Sequence, residues 1–297
     1  MKPRMKGITC MLASTFSFTM MNVFVRMAGV IPSMQKSFFR NVISLAMALV
    51  LLAREGASLA VPRSERKHLF VRALVGTIGV LCNFYAVDHM VLSDATMLNK
   101  MSPFFTVLFA ALLLKETVTL AQTALFVTAF CGSLLILKPS LSAFASPAAA
   151  IALLGGVCAG LAYAEVRLLG KRQVNRAVII FFFSAFSCLV TAPSLVFHYA
   201  PMTWGQLGFL LLAGVAATGG QFGITYAYFY APASEVSVYD YSQIVFSAVL
   251  GYLCFGQLAD GWSFLGYVII CAAAVAMAVY NNRHERVSAN SELGACK

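Results

Sequence analysis

The feature that most constrains this chain is a succession of apolar runs, each long enough to cross a bilayer as a helix. They cover roughly 7–29, 33–53, 69–87, 93–114, 119–138, 147–168, 175–199, 205–230, 233–255 and 260–281. A hydrocarbon layer ~30 Å thick needs about 20 helical residues, and each run meets that length. Turn chemistry separates them, as in Ile31-Pro32-Ser33, Tyr199-Ala200-Pro201 and Ala231-Pro232-Ala233. Period-two alternation is absent, so the runs predict helices and not barrel strands. Composition agrees: 60% of residues are hydrophobic and 11% are charged, against about 25% charged in a soluble domain. The expected fold is an all-α membrane protein with ten transmembrane helices, and its first partner is the lipid bilayer.

The net charge is +10. It falls in short clusters at the ends of apolar runs and forms no basic stripe with interleaved aromatics, which argues against nucleic acid. Placing the N-terminus in the cytoplasm puts Lys2, Arg4, Lys6, the cluster from Arg54 through Arg63, Arg66, Lys67 and Arg72, then Lys115, Arg167, Lys171, Arg172, Arg176, Arg283, Arg286 and Lys297 on the inner side. Arg26, Lys36, Arg40, Lys100 and Lys138 remain. That bias predicts both termini inside, with a bacterial inner (plasma) membrane as the expected location.

Catalytic motifs are missing. The eight cysteines form no CxxC, and most lie in apolar runs, where Cys behaves as a small hydrophobe. His68, His89, His198 and His284 are scattered, and neither HExxH nor GxSxG occurs. The expectation is no enzyme, no metal and no cofactor.

Sliding the chain on itself by 141 residues superposes its first five spans on its last five. Val25-Arg26 falls on Val166-Arg167. Thr77, Gly79, Tyr85 and Ala86 fall on Thr218, Gly220, Tyr226 and Ala227, and Ser93-Asp94 on Ser234-Glu235. The expected units are 1–138, 147–281 and a cytoplasmic tail, 282–297. Five is odd, so the second unit enters the membrane from the opposite side. The ten helices are therefore expected as two inverted five-helix repeats, an architecture that places a substrate site near the midplane between halves.

Several stretches resemble a known family. They are Phe38-Phe39-Arg40-Asn41, and the run from Ser93-Asp94-Ala95 through Ser102-Pro103-Phe104 to Leu114-Lys115-Glu116. With the ten-helix plan, they resemble the drug/metabolite transporter superfamily, in its EamA-type branch. Tyr239-Asp240-Tyr241-Ser242 is similar to the branch related to solute carrier 35 G-type proteins. The resemblance implies transport of small metabolites, often outward. The second half departs from the pattern: Ile244 stands where Pro103 has its counterpart, and Gln257 where Glu116 does.

Polar residues at membrane depth are candidates for function because burying them is costly. Lys100 lies well inside the fourth span, with Asn99 beside it. Asp240 lies at equivalent depth in the ninth, with Tyr241 beside it; Tyr241 is the repeat mate of Lys100. The pairs Asn99-Lys100 and Asp240-Tyr241 are expected to face one midplane cavity, pairing when empty and parting for substrate. Asp240 is also the candidate for a coupling proton. Arg40 in span 2, with Asn22 and Arg26 near the outer end of span 1, extends the set. Asn83 and Tyr85 in span 3, with Gln221 and Tyr226 in span 8, are the expected walls. Glu165 and Arg167 are expected to pair, and Asp94 and Glu235 to serve as helix-start acids. Pro103 predicts a kink.

The expected function is transport of a small polar metabolite, anionic or zwitterionic, such as an organic acid or amino acid. Outward movement by alternating access is expected, with a coupling proton or counter-substrate allowed for. A channel is the first alternative and an intramembrane enzyme the second.

Overall fold

The computed structural model describes residues 3–90, 92–138, 146–197, 199–256 and 260–295, with side chains undescribed at 87–88, 92–94 and 284–295. Among these residues every regular element is helical. In order they are α1 Pro3–Met27, α2 Ser33–Glu55, α3 Arg63–His89, α4 Leu92–Asn99, α5 Ser102–Leu114, α6 Leu120–Leu137, α7 Pro147–Lys171, α8 Arg176–Phe197, α9 Trp204–Tyr230, α10 Ala233–Val236, a 3-10 turn Ser237–Tyr241, α11 Ser242–Phe255 and α12 Gly261–Ala295. They make 10 stretches long and apolar enough to span a membrane. The fourth is α4 with α5; the ninth is α10, the 3-10 turn and α11. The last helix continues to Ala295, so the expected tail after 281 prolongs the tenth span.

Local chemistry sets the helix ends, and the two repeats set them alike. Thr119 caps α6 by accepting from the Gln122 N–H. Its repeat mate, Asp260, caps α12 by accepting from the Ser263 N–H at 3.1 Å. At the end of α5, Lys115 turns into the left-handed region (φ 54°); its mate Gly256 does the same after α11 (φ 65°). Glycine enters that region without a Cβ clash, whereas lysine is strained there.

Packing follows the inverted arrangement. Helix α1 lies along α9, and α3 lies along α7, which are equivalent contacts under the repeat. Contacts α2–α8 and α6–α12 map onto themselves. Thr77 bonds Ser187 at 2.6 Å, and its mate Thr218 bonds Ser44 at 2.9 Å, with the serine two places out of step. Each repeat therefore packs mostly against the other.

The glycines of spans 6 and 8 serve this closeness. A Cβ at Gly160 would stand 2.4 Å from Phe105 Cβ, and one at Gly220 would stand 2.7 Å from the Phe18 ring. Helix α9 stays continuous through its glycines, so they pack and do not unwind. Apolar side chains such as Leu112, Leu189, Leu253 and Phe264 are exposed and meet lipid. Trp204 and Trp262 project from the starts of α9 and α12, at the same end of the bundle, as in an interfacial aromatic belt.

Candidate functional site

Spans 4 and 9 both break at mid-depth, and at equivalent places. Helix α4 ends at Asn99 and α5 begins at Ser102, with Pro103 in its first turn. Proline lacks an N–H and fits only a helix start without loss. Span 9 has Ile244 in place of that proline. It breaks even so, through the 3-10 turn Ser237–Tyr241.

A break frees backbone carbonyls, and one at each break accepts from the opposite repeat. The Tyr241 hydroxyl donates to the Lys100 carbonyl at 3.1 Å. The Lys100 ammonium donates to the Asp240 carbonyl at 3.3 Å, to Asp240 Oδ2 at 2.8 Å and to Gln243 Oε1 at 2.7 Å. Lys100 is 6% exposed, Asp240 9% and Tyr241 fully buried. Asn99 is half-buried beside them. An ion pair this buried needs its remaining donors and acceptors met as well, and Gln243 and the carbonyl meet those of the ammonium. Sequence reading did not single out Gln243. Its polar amide, three residues after Asp240 within an apolar run, was the available signal.

A second group lies between α2, α3, α7 and α8. Arg72, expected among the inner-surface cations, is 2% exposed. Its guanidinium stacks over the Phe183 ring at 4.2 Å, and its Nε is buried without a hydrogen-bond partner. Arg40 is half-buried. Arg40, Arg72 and Asp240 all lie within electrostatic reach of Tyr163, whose ring stacks on Tyr228. Neither arginine has a carboxylate partner among the described residues. Two cations without a carboxylate thus lie within electrostatic reach of Tyr163, as Asp240 does.

The end bearing the termini is tied together by ion pairs. Arg4 bonds Glu235 at 2.8 Å. Glu116 accepts from Arg167 at 2.8 Å, from Lys171 at 3.2 Å and from the Ala233 N–H at 3.2 Å. Arg172 meets Glu65 at 3.0 Å, and His68 meets Glu165 at 2.9 Å. These bonds join spans 1 to 9, 4 to 6 and 9, and 3 to 6. At the opposite end the described ion pair is Lys138–Asp260.

A family model described as the EamA-like transporter family matches residues 5–138 and again 146–279. The chain belongs to the EamA-like transporter family. The pseudopaline exporter CntI of Pseudomonas aeruginosa is 33% identical over 273 residues, covering 91% of this chain and 95% of its own. Solute carrier family 35 member G1 of Homo sapiens is 24% identical over 290 residues, covering 92% and 79%. A solved crystal structure, 14% identical, superposes with a TM-score of 0.78 over 92% of this chain and 98% of its own; that likeness concerns the fold. The protein is therefore a multi-pass membrane transporter whose substrate is a small molecule.

The remaining sequence candidates of this EamA-like transporter make no hydrogen bond or ion pair with the central pair. Asn22 and Arg26 are exposed near the end of α1, where Arg26 stacks over Phe255 at 4.3 Å. Tyr85 is 41% exposed and stacks on His89. Tyr226 lies under Arg176 at the last turns of α9. Asn83 is half-buried against α7 beside Gly155. Gln221 is buried, and its Nε2 has no hydrogen-bond partner.

One expected role is corrected. Glu165 and Arg167 do not pair with each other, because residues two apart point to different sides of a helix; each reaches a partner on another span. Glu235 stands in the first turn of α10 as expected, where Arg4 also holds it, while Glu116 accepts from the Ala233 N–H at the start of that helix. The side chain of Asp94, and all of Gln257 and His198, lie outside the described residues.

Proposed function

We propose that this EamA-like transporter exports a small anionic or zwitterionic metabolite by alternating access, from a midplane site built on Lys100 and Asp240. The observation that carries the reading is the knot of Lys100, Asp240 and Gln243 at the paired breaks of spans 4 and 9. Discontinuous spans at a repeat interface are where secondary transporters bind solute. In the structure Asp240 occupies Lys100. A substrate acid displaces that carboxylate, and the displaced Asp240 takes up either a substrate ammonium or a coupling proton.

The halves 1–138 and 147–281 rock about this centre. The ion pairs at the terminus end hold that mouth shut in the state described, and they part when it opens. With the termini in the cytoplasm of a bacterial inner membrane, that mouth is the loading side. The name of the 33%-identical relative, an exporter, supports the outward direction. An inside-negative potential assists loss of a net anion by about 2.3 kcal/mol per charge per 100 mV.

The test is counterflow in proteoliposomes, with candidates chosen by thermal shift against a metabolite panel. Unlabelled solute inside is expected to accelerate entry of label, and Lys100→Ala to abolish that acceleration. A flux that shows no counterflow would identify a channel. Full transport by Lys100→Ala would remove the site.

A further inference from the structure

Arg72 is a buried charge with no carboxylate partner among the described residues. It sits nine positions into α3, and its guanidinium folds back along its own helix. A Cβ at Gly76 would stand 2.1 Å from Arg72 Nη1 and 3.0 Å from the Phe183 ring. The guanidinium therefore occupies space that exists only because residue 76 has no side chain. At 2% exposure, with an orphaned Nε, it has an aromatic face on one side and no acid on the other. Arg40 lies within electrostatic reach of it and is equally without a carboxylate among the described residues. Two guanidinium groups so placed in a bilayer repel one another and lack compensation. Lys100, by contrast, has its own aspartate.

We infer that Arg40 and Arg72 form an anion subsite separate from Lys100, and that the transported molecule carries a second acidic group to fill it. This inference rests on the reading of Lys100 and Asp240 as the substrate site. The class is a small di- or tricarboxylate, amino dicarboxylates included. Guanidinium is planar and always charged, and it matches a carboxylate through two parallel hydrogen bonds. One acid of the substrate meets the arginines, which need displace nothing. The other displaces Asp240 from Lys100. A monoacid satisfies one centre and leaves the other cationic, so it is discriminated against.

The experiment uses pairs that differ by one acid: succinate with succinamate, aspartate with asparagine, glutamate with glutamine. Binding to the purified protein is read by thermal shift and titration, and uptake by counterflow. The acid of at least one pair is expected to bind about tenfold or more tighter than its amide. That preference is expected to collapse in Arg40→Gln and in Arg72→Gln, and to return in part in Arg72→Lys. Arg40→Gln, at the half-buried position, serves if Arg72→Gln does not fold. The inference is overturned if no acid is preferred over its amide, if both glutamine variants keep the full preference, or if chloride alone gives the same shift as the acids. In each of these cases, loss of transport in Lys100→Ala would leave the proposed transport site standing. Full transport in Lys100→Ala would remove that site whatever the arginines do.

Discussion

The hydroxyl of Tyr241 donates to the backbone carbonyl of Lys100 at 3.1 Å, and the two residues stand 141 positions apart, the offset at which the chain repeats. Residues that superpose under an internal two-fold can touch only close to its axis. This bond therefore marks where the halves meet, and Lys100, Asp240 and Gln243 lie around it. If the halves rock about this meeting point, as proposed, distances change least there and most at the membrane surfaces.

The central ion pair makes a stability prediction that separates structure from transport. Removing one partner of a buried pair leaves a charge without compensation and costs about 3–5 kcal/mol, whereas removing both is far milder. Lys100→Met and Asp240→Asn are each expected to lower the melting temperature markedly. The double variant is expected to recover most of that loss and to remain inactive in counterflow. A double variant as unstable as the worse single one would show that the pair is not coupled.

Glu116 joins three spans at the terminus end, so it is where opening should be sensitive. Glu116→Gln keeps a shape able to accept hydrogen bonds but leaves Arg167 without its carboxylate. If that weakens closure by about 1.4 kcal/mol, the open fraction rises about tenfold. A cysteine at Ser234, which is 4% exposed, placed in a background without native cysteines, reports it. Labelling by an impermeant maleimide from the terminus side is expected to quicken by that factor. An unchanged rate would mean that these bonds do not gate the mouth.

The spans and their ends were legible because both depend on local sequence: run length, and turn residues such as Ile31-Pro32-Ser33 and Ala231-Pro232-Ala233. The break in span 4 was legible in Pro103. Its counterpart in span 9 was not, because Ile244 carries no local signal and the 3-10 turn is fixed by packing and by the bonds of Tyr241 and Lys100. Arg72 was misplaced for a physical reason. It stands three residues into the apolar run at 69–87, a usual place for a flanking cation, but α3 starts at Arg63 and carries it a further turn and a half inward. Partner choices such as Arg167 with Glu116 were out of reach, since they depend on which spans become neighbours.

The Lys138–Asp260 pair joins the end of α6 to the start of α12 and predicts a pH dependence. The lysine, then Ser263, hold the Asp260 carboxyl below its usual range. A carboxylate depressed in the folded state contributes stability above its unfolded pKa, near about 4, and loses it as pH falls through the lower folded value. Asp260→Asn keeps an acceptor for the Ser263 N–H but removes the charge. The melting-temperature gap between wild type and this variant is expected to be constant from pH 7 to about 5 and to shrink below about 4. Added salt should narrow the gap at neutral pH, because the pair is exposed. A gap that grew on acidification would contradict the assignment.

Lys115 and Gly256 offer a matched pair for measuring backbone strain. Both end the second half of a broken span with positive φ, 54° and 65°. A Cβ at Gly256 would meet nothing within 4 Å, so Gly256→Ala changes the backbone preference and little else. It is expected to destabilise by about 1 kcal/mol, the usual cost of a left-handed residue that carries a side chain. Lys115→Gly relieves the same strain but gives the unfolded chain more freedom, so its gain is smaller, about 0.5 kcal/mol. Both are read as opposite shifts in melting temperature in one detergent. The lysine also lies beside Glu116 at the tied mouth, where it adds positive charge. If Lys115→Gly lowers stability, that charge contributes more than the strain costs. The strained lysine would then be retained for the mouth and not tolerated as a helix stop.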